Sequence, residues 1–128
     1  MSSPDGDSRT HHIIGLAMRV HTRLGAGLLE NAYEHCLCHQ FDRHAIAYAR
    51  QVDLPLVHDG ASLDCGYRTE IIVNNAVILE LKSVDHILPL HEAQRLTNLR
   101  LSRCQCHVGL LLNFNTLSLK DVIRRRVL

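Results

Sequence analysis

The sequence predicts an α/β fold, a single compact domain with a sheet packed between helices. Three observations predict it. Two segments near the start carry apolar residues at three- and four-residue steps, the spacing of helices with one buried stripe. Residues 67–84 (YRTEIIVNNAVILELKSV) alternate as strands do on either side of Asn74-Asn75. His107 to Phe114 (HVGLLLNF) is a near-continuous apolar run of strand length, which marks a strand covered on both faces and hence central in a sheet.

Composition allows this and narrows the function classes. A chain of 128 residues, 46% apolar, buries a core without staples. With two Phe, three Tyr and no Trp, that core is aliphatic. A net charge of +1 gives no global attraction to nucleic acid or membranes, so anion binding must come from a local patch. No apolar run reaches the roughly 18–20 residues that span a bilayer. The opening MSSPDGDSRT lacks the apolar core of a secretory signal, so the expected compartment is the cytoplasm. Five Cys, an odd number without such a signal, favour reduced thiols. Cys36/Cys38 and Cys104/Cys106 with His107 invite a zinc reading, but neither pair has C-x-x-C spacing. Small buried or half-buried residues are the simpler account of them.

In chain order, residues 1–9 are expected to be disordered and the domain to span 10–128. Ile13, Ile14, Ala17, Val20 and Leu24 predict a first helix from Thr10, which Gly25-Ala26-Gly27 breaks. A second helix is expected over 28–44, burying Leu29, Ala32, Tyr33, Cys36, Leu37, Gln40 and Phe41. Glu30 falls in its first turn, where an acid complements the helix dipole. Residues 46–58 predict a strand that tolerates Pro55, hence an edge or bulged strand, and such an edge leaves room for a homodimer by sheet extension. Asp59-Gly60 is a turn signal. A strand resumes near Ser62 and runs into the central stretch. Pro89 suits the first turn of a third helix over 90–103, with Leu90, Ala93, Leu96 and Leu99 on its apolar side. Residues 117–128 fit either a short helix or a final strand.

Parity gives the hairpin its register. Ile71, Val73, Val77, Leu79 and Leu81 are odd-numbered and apolar, so they define a buried face; Arg68, Glu70, Glu80 and Lys82 are even-numbered. Paired residues share a face, so paired numbers must sum to an even value. That requires an odd-length connection such as Asn74-Asn75-Ala76. A sum of 150 sets Glu70 opposite Glu80 and Arg68 opposite Lys82. Two facing carboxylates repel, and two accounts resolve this. One is a solvated face with salt bridges to Arg68 and Lys82. The other is a divalent cation, with Lys82 beside it as a positive point charge.

At this point the residues carry a resemblance. Gly27-Leu28-Leu29-Glu30-Asn31-Ala32-Tyr33 matches the signature of the GxxExxY protein family. LDCGYR at 63–68, VILELK at 77–82, HEAQRLTNLRL at 91–101 and GLLLNFN at 109–115 resemble it in the same order and spacing. The family is grouped with the PD-(D/E)xK nuclease-like superfamily. The resemblance implies a restriction-endonuclease-like fold, a central mixed sheet flanked by helices. It implies a candidate catalytic set: Glu30 as helix acid, Glu70 as strand acid where Asp is usual, Glu80 and Lys82 as the E-x-K, and Gln94 as helix Gln. Glu70, Glu80 and Glu30 would hold Mg²⁺ or Mn²⁺. Nucleic acid, DNA or RNA, is the implied substrate, with backbone contacts from Arg68, Arg95 and Arg100, and from Arg103 and Arg124–Arg126. The alternative is a catalytically inactive relative that binds nucleic acid or a protein partner.

Overall fold

The first turn of a helix leaves its N–H groups without partners, so a proline costs nothing there. Helix α1 accordingly begins at Pro4 and runs to Leu24, starting earlier than the periodicity from Thr10 predicts. The computed structural model describes residues 4–102, 108–115 and 123–127, and for 4–7 and 123–127 the backbone only. Thr10, Ile13, Leu16, Ala17, Val20 and His21 form the buried stripe of α1. Gly25, at φ +72°, ends the helix in the left-handed conformation that favours glycine, its N–H donating to His21 O (2.8 Å). Helix α2 (Glu30–Arg43) buries Tyr33, Glu34, Leu37, Cys38, Gln40 and Phe41. Leu29, expected inside, is 80% exposed, because α2 starts only after it.

The stretch expected as one strand over 46–58 is two. Strand β1 (Tyr48–Asp53) ends before Pro55, which has no N–H to give a ladder. Strands β2 (Leu56–His58) and β3 (Ala61–Leu63) form a separate hairpin across Asp59-Gly60. Asp64 Oδ1 then accepts from Gly66 N (3.1 Å), so β3 does not run on into β4 (Arg68–Val73). Strand β5 (Val77–Lys82) returns antiparallel with Ile71↔Leu79, Ile72↔Ile78 and Val73↔Val77, the expected register. Asn74 and Asn75 take φ +51° and +53° in the three-residue connection. Helix α3 (Pro89–Leu101) crosses over to β6 (Val108–Asn113), which pairs parallel with β5; β7 (Ile123–Val127) closes the far edge antiparallel. Of the tail, residues 123–127 are thus a strand, and the rest lies outside the described residues. The result is a mixed sheet of order β1-β4-β5-β6-β7 flanked by helices, as expected.

The odd face of β4 and β5 packs with β6 against α1 and α2 around Tyr33, Leu37, Phe41 and Phe114. The even face is not solvated at Ile72, Ile78 and Glu80. Helix α3 covers it, with Leu99 packed on Ile72 and Ile78. The approach is close: a Cβ at Gly109 would stand 2.9 Å from Leu99 Cδ1. Leu99 is buried as expected, but Leu90 and Ala93, also expected to be buried, are exposed, and Arg95 and Asn98 face the sheet instead.

Candidate nuclease-type site

The signature around Glu30 has a local physical reason. Tyr33, one turn into α2, is fully buried against Phe114 with ring centroids 4.5 Å apart. Its hydroxyl donates to Gly25 O (2.6 Å) and accepts from Leu28 N (3.1 Å). One side chain thereby ties down the loop that delivers Glu30. Ser83, just past β5, completes the docking. Its N–H donates to Glu30 Oε1 (3.3 Å) and its hydroxyl donates to Leu28 O (2.7 Å). The start of α2 is thus fastened to the end of β5.

The strands themselves change face near Glu70. Arg50 pairs with Ile71, and both lie toward α1 and α2: Ile71 is in that core and Arg50 Nε donates to Glu34 Oε2 (2.9 Å). Two residues on, Val52 pairs with Thr69, and both lie toward α3: Val52 packs with Ile72, Ile78 and Leu99, and Thr69 reaches Glu80. Simple alternation would keep residues two apart on one face. Gln51, at φ +51°, breaks it, and Gln51 and Glu70 drop out of the pairing.

The β4–β5 pairing also stops at Ile71–Leu79. Continued in the same register, it would set Thr69 across from Leu81. Instead the Leu81 N–H donates to Glu70 Oε2 (2.7 Å). The expected direct pairing of Glu70 with Glu80 is therefore corrected. Thr69 lies against Glu80, its hydroxyl donating to Oε1 (3.3 Å), while Glu70 turns back to the β5 backbone.

Glu80 is 7% exposed, and the Asn98 amide of α3 also donates to its Oε1. Each carboxylate thus has one oxygen held by a protein donor: Oε1 of Glu30, Oε2 of Glu70, Oε1 of Glu80. The other oxygen of each has no donor among the described residues.

Electrostatics bind the group together. Burial pushes the Glu70 carboxyl up to about 8, against the Leu81 N–H; the charges of Glu80 and Glu30 add to the rise and Lys82 opposes it. Burial also raises Glu80, opposed by Asn98, Lys82, Thr69 and Arg95. A buried pair of carboxylates with a rising proton affinity is a place where a cation gains most. No three His, Cys, Asp or Glu side chains among the described residues stand together as a metal-binding group.

Of the remaining expected site residues, Lys82 is half-buried within range of both Glu70 and Glu80. Gln94 is exposed on α3, without a hydrogen bond among the described residues. Arg68 is exposed and paired with Asp53 (3.0 Å), and Arg100 is exposed. Arg95 is 4% exposed, ion-paired with Glu92 and felt by Glu80. Arg103, Cys104, Cys106 and His107 lie outside the described residues, as do the side chains of Arg124–Arg126. Cys36 and Cys38 are free thiols on α2.

Sequence reasoning missed Thr69, Ser83 and Asn98 as supports of the acids. Thr69 and Ser83 flank Glu70 and the Glu80-x-Lys82 pair, and that adjacency was the only signal. Asn113, which exchanges hydrogen bonds with Val84 N and O (3.1 and 2.9 Å), was missed as well.

Among comparisons with known proteins, a family model described as the PD-(D/E)XK nuclease superfamily matches residues 7–126. No curated protein and no solved structure matches the chain. No helix among the described residues is long and apolar enough to cross a membrane.

Proposed function

Because the chain belongs to the PD-(D/E)XK nuclease superfamily, we propose that it is a metal-dependent nuclease hydrolysing phosphodiester bonds of DNA or RNA, of the GxxExxY kind. The observation that carries this is the convergence of Glu70, Glu80 and Lys82 where β4 and β5 part, with Glu30 fastened to the next residue of the chain, Ser83. Glu70 and Glu80 would hold Mg²⁺ or Mn²⁺, with Glu30 behind them. When bound, such an ion lowers the pKa of a bound water and neutralises charge building on a phosphate. Lys82 adds a fixed positive charge that holds the phosphate or orients the water. Gln94, on the exposed side of α3, would orient the substrate. Arg68 and Arg100 supply backbone contacts that set register without reading sequence. Binding through so few exposed cations is salt-sensitive.

The second reading, a silent nuclease fold that binds nucleic acid or a protein partner, is favoured by one observation. Glu70 is longer than the usual Asp and its carboxylate is bonded back onto the Leu81 N–H. Labelled single- and double-stranded DNA and RNA, incubated with Mg²⁺ or Mn²⁺, separate the two. A nuclease cleaves at least one of them, and Lys82→Ala lowers the rate by about 100-fold or more while binding persists. No cleavage with either metal, together with retained nucleic-acid binding, establishes the silent reading.

A further inference from the structure

Asn98 and Thr69 both donate to the same oxygen of Glu80, one from α3 and one from β4. All three side chains are buried, Asn98 at 6% and Thr69 at 0% exposure. Glu80 sits on β5 between these elements, so neither donor is a local consequence of its own strand. Two donors from different elements fix both the rotation of the carboxylate and the identity of the oxygen left over. The resemblance assigns no role to Thr69, and none toward Glu80 to Asn98.

We propose that Asn98 and Thr69 are positioning residues that lock Glu80 so that Oε2 is its single metal-facing oxygen. The proposal rests on the nuclease reading of this site. Ligating carboxylates are commonly held by hydrogen bonds of this kind, and losing one weakens metal binding by roughly 10- to 100-fold. Without the clamp the carboxylate rotates, and a Mg²⁺-type ion, strict in its geometry, is held less well. The face change at Gln51 and Glu70 gains a purpose here, since it is what turns Thr69 toward Glu80. The placement of α3 gains one too, because Asn98 sits beside Leu99, the residue that seats α3 on the sheet.

The test measures Mn²⁺ affinity by calorimetry on the full chain, with the urea midpoint and, where cleavage exists, kcat and KM as companions. Asn98→Leu keeps the approximate volume and removes the donor; Thr69→Val does the same for the hydroxyl; Thr69→Ser restores it. The expected result is a Mn²⁺ Kd raised 10-fold or more in Asn98→Leu and in Thr69→Val, with Thr69→Ser close to wild type. The kcat should fall with KM for nucleic acid little changed. Variants that are less stable but bind Mn²⁺ as wild type does would overturn the clamp and leave the nuclease reading standing. A wild-type chain that binds no Mn²⁺ and cleaves nothing would overturn both. Should Asn98→Leu fail to fold, the Thr69→Val and Thr69→Ser pair decides alone.

Discussion

Replacing Gly109 by Ala tests how α3 is seated on the sheet. Gly109 lies on β6, beside Ile78 in register, directly under α3. A methyl there would stand 2.9 Å from Leu99 Cδ1 and 3.2 Å from both Leu99 Cγ and Arg95 Cγ. Carbon atoms settle about 3.5–4.0 Å apart, so Leu99 must yield about half an ångström or more, or α3 must lift. Leu99 is 2% exposed and packed on Ile72 and Ile78, which leaves it no empty space to turn into. Overpacking of this kind costs about 1–3 kcal/mol, and the lower backbone entropy of Ala over Gly in a strand offsets up to about 1 kcal/mol. The net loss falls between about 0 and 3 kcal/mol, centred at about 1–2 kcal/mol, read as a lower urea midpoint with an unchanged m-value. Leu99→Ala alone costs about 2–5 kcal/mol. In the double variant the new methyl enters part of the space that Leu99 vacates. The double variant therefore loses less than the sum of the two single losses, with a coupling of at least about 0.5 kcal/mol. Because Asn98 adjoins Leu99, lifting α3 also draws its amide from Glu80, and Mn²⁺ affinity falls in step. Gly109→Ala unfolding at the wild-type midpoint, or strict additivity of the pair, would refute the close seating.

Two further outcomes test the site from other directions. In the metal-free chain, the Glu70 carboxyl is raised from its ordinary 4.5 to about 8, so between those values the folded protein keeps a proton that the unfolded chain releases. Stability is then full below pH 4.5 and falls as pH rises toward about 8, by at most about 1.4 kcal/mol per pH unit; Glu80 adds to the fall. Urea midpoints in EDTA from pH 5 to 8 measure this, and Glu70→Gln should flatten the slope; a wild-type midpoint flat over that range would contradict the burial of Glu70. Tyr33→Phe removes the hydroxyl that bonds Gly25 O and Leu28 N, at a cost of about 1–3 kcal/mol. Amide exchange of Leu28 and Ser83 should quicken in that variant, since the loop, Glu30 and Ser83 form one fastened unit.

The hairpin shows how far sequence reaches. Odd-numbered apolar residues on both sides of Asn74-Asn75 demand an even pairing sum, and the observed register sums to 150 throughout. The buried central strand, the helices and the nuclease superfamily were legible for the same reason: each is written in local periodicity or in contiguous motifs. Burial on the other face was not legible. Alternating charge along a strand reads equally well as a solvated face or as one covered by a helix, and the covering helix presents Arg95 and Asn98 where apolar periodicity pointed to Leu90 and Ala93.

Sequence by itself brought Glu70, Glu80 and Lys82 near one another, because spacing along paired strands leaves little choice, and Glu30 joined them only through the resemblance. Tertiary structure decided how they are aimed. Gln51 in a left-handed conformation swaps the face of β1 and β4, so Thr69 rather than Glu70 meets Glu80. Leu81 gives its N–H to Glu70, and Asn98 arrives from a helix whose seat depends on the bare Cα of Gly109. Those contacts join residues far apart in the chain, and they form only when the whole sheet and its covering helix are in place.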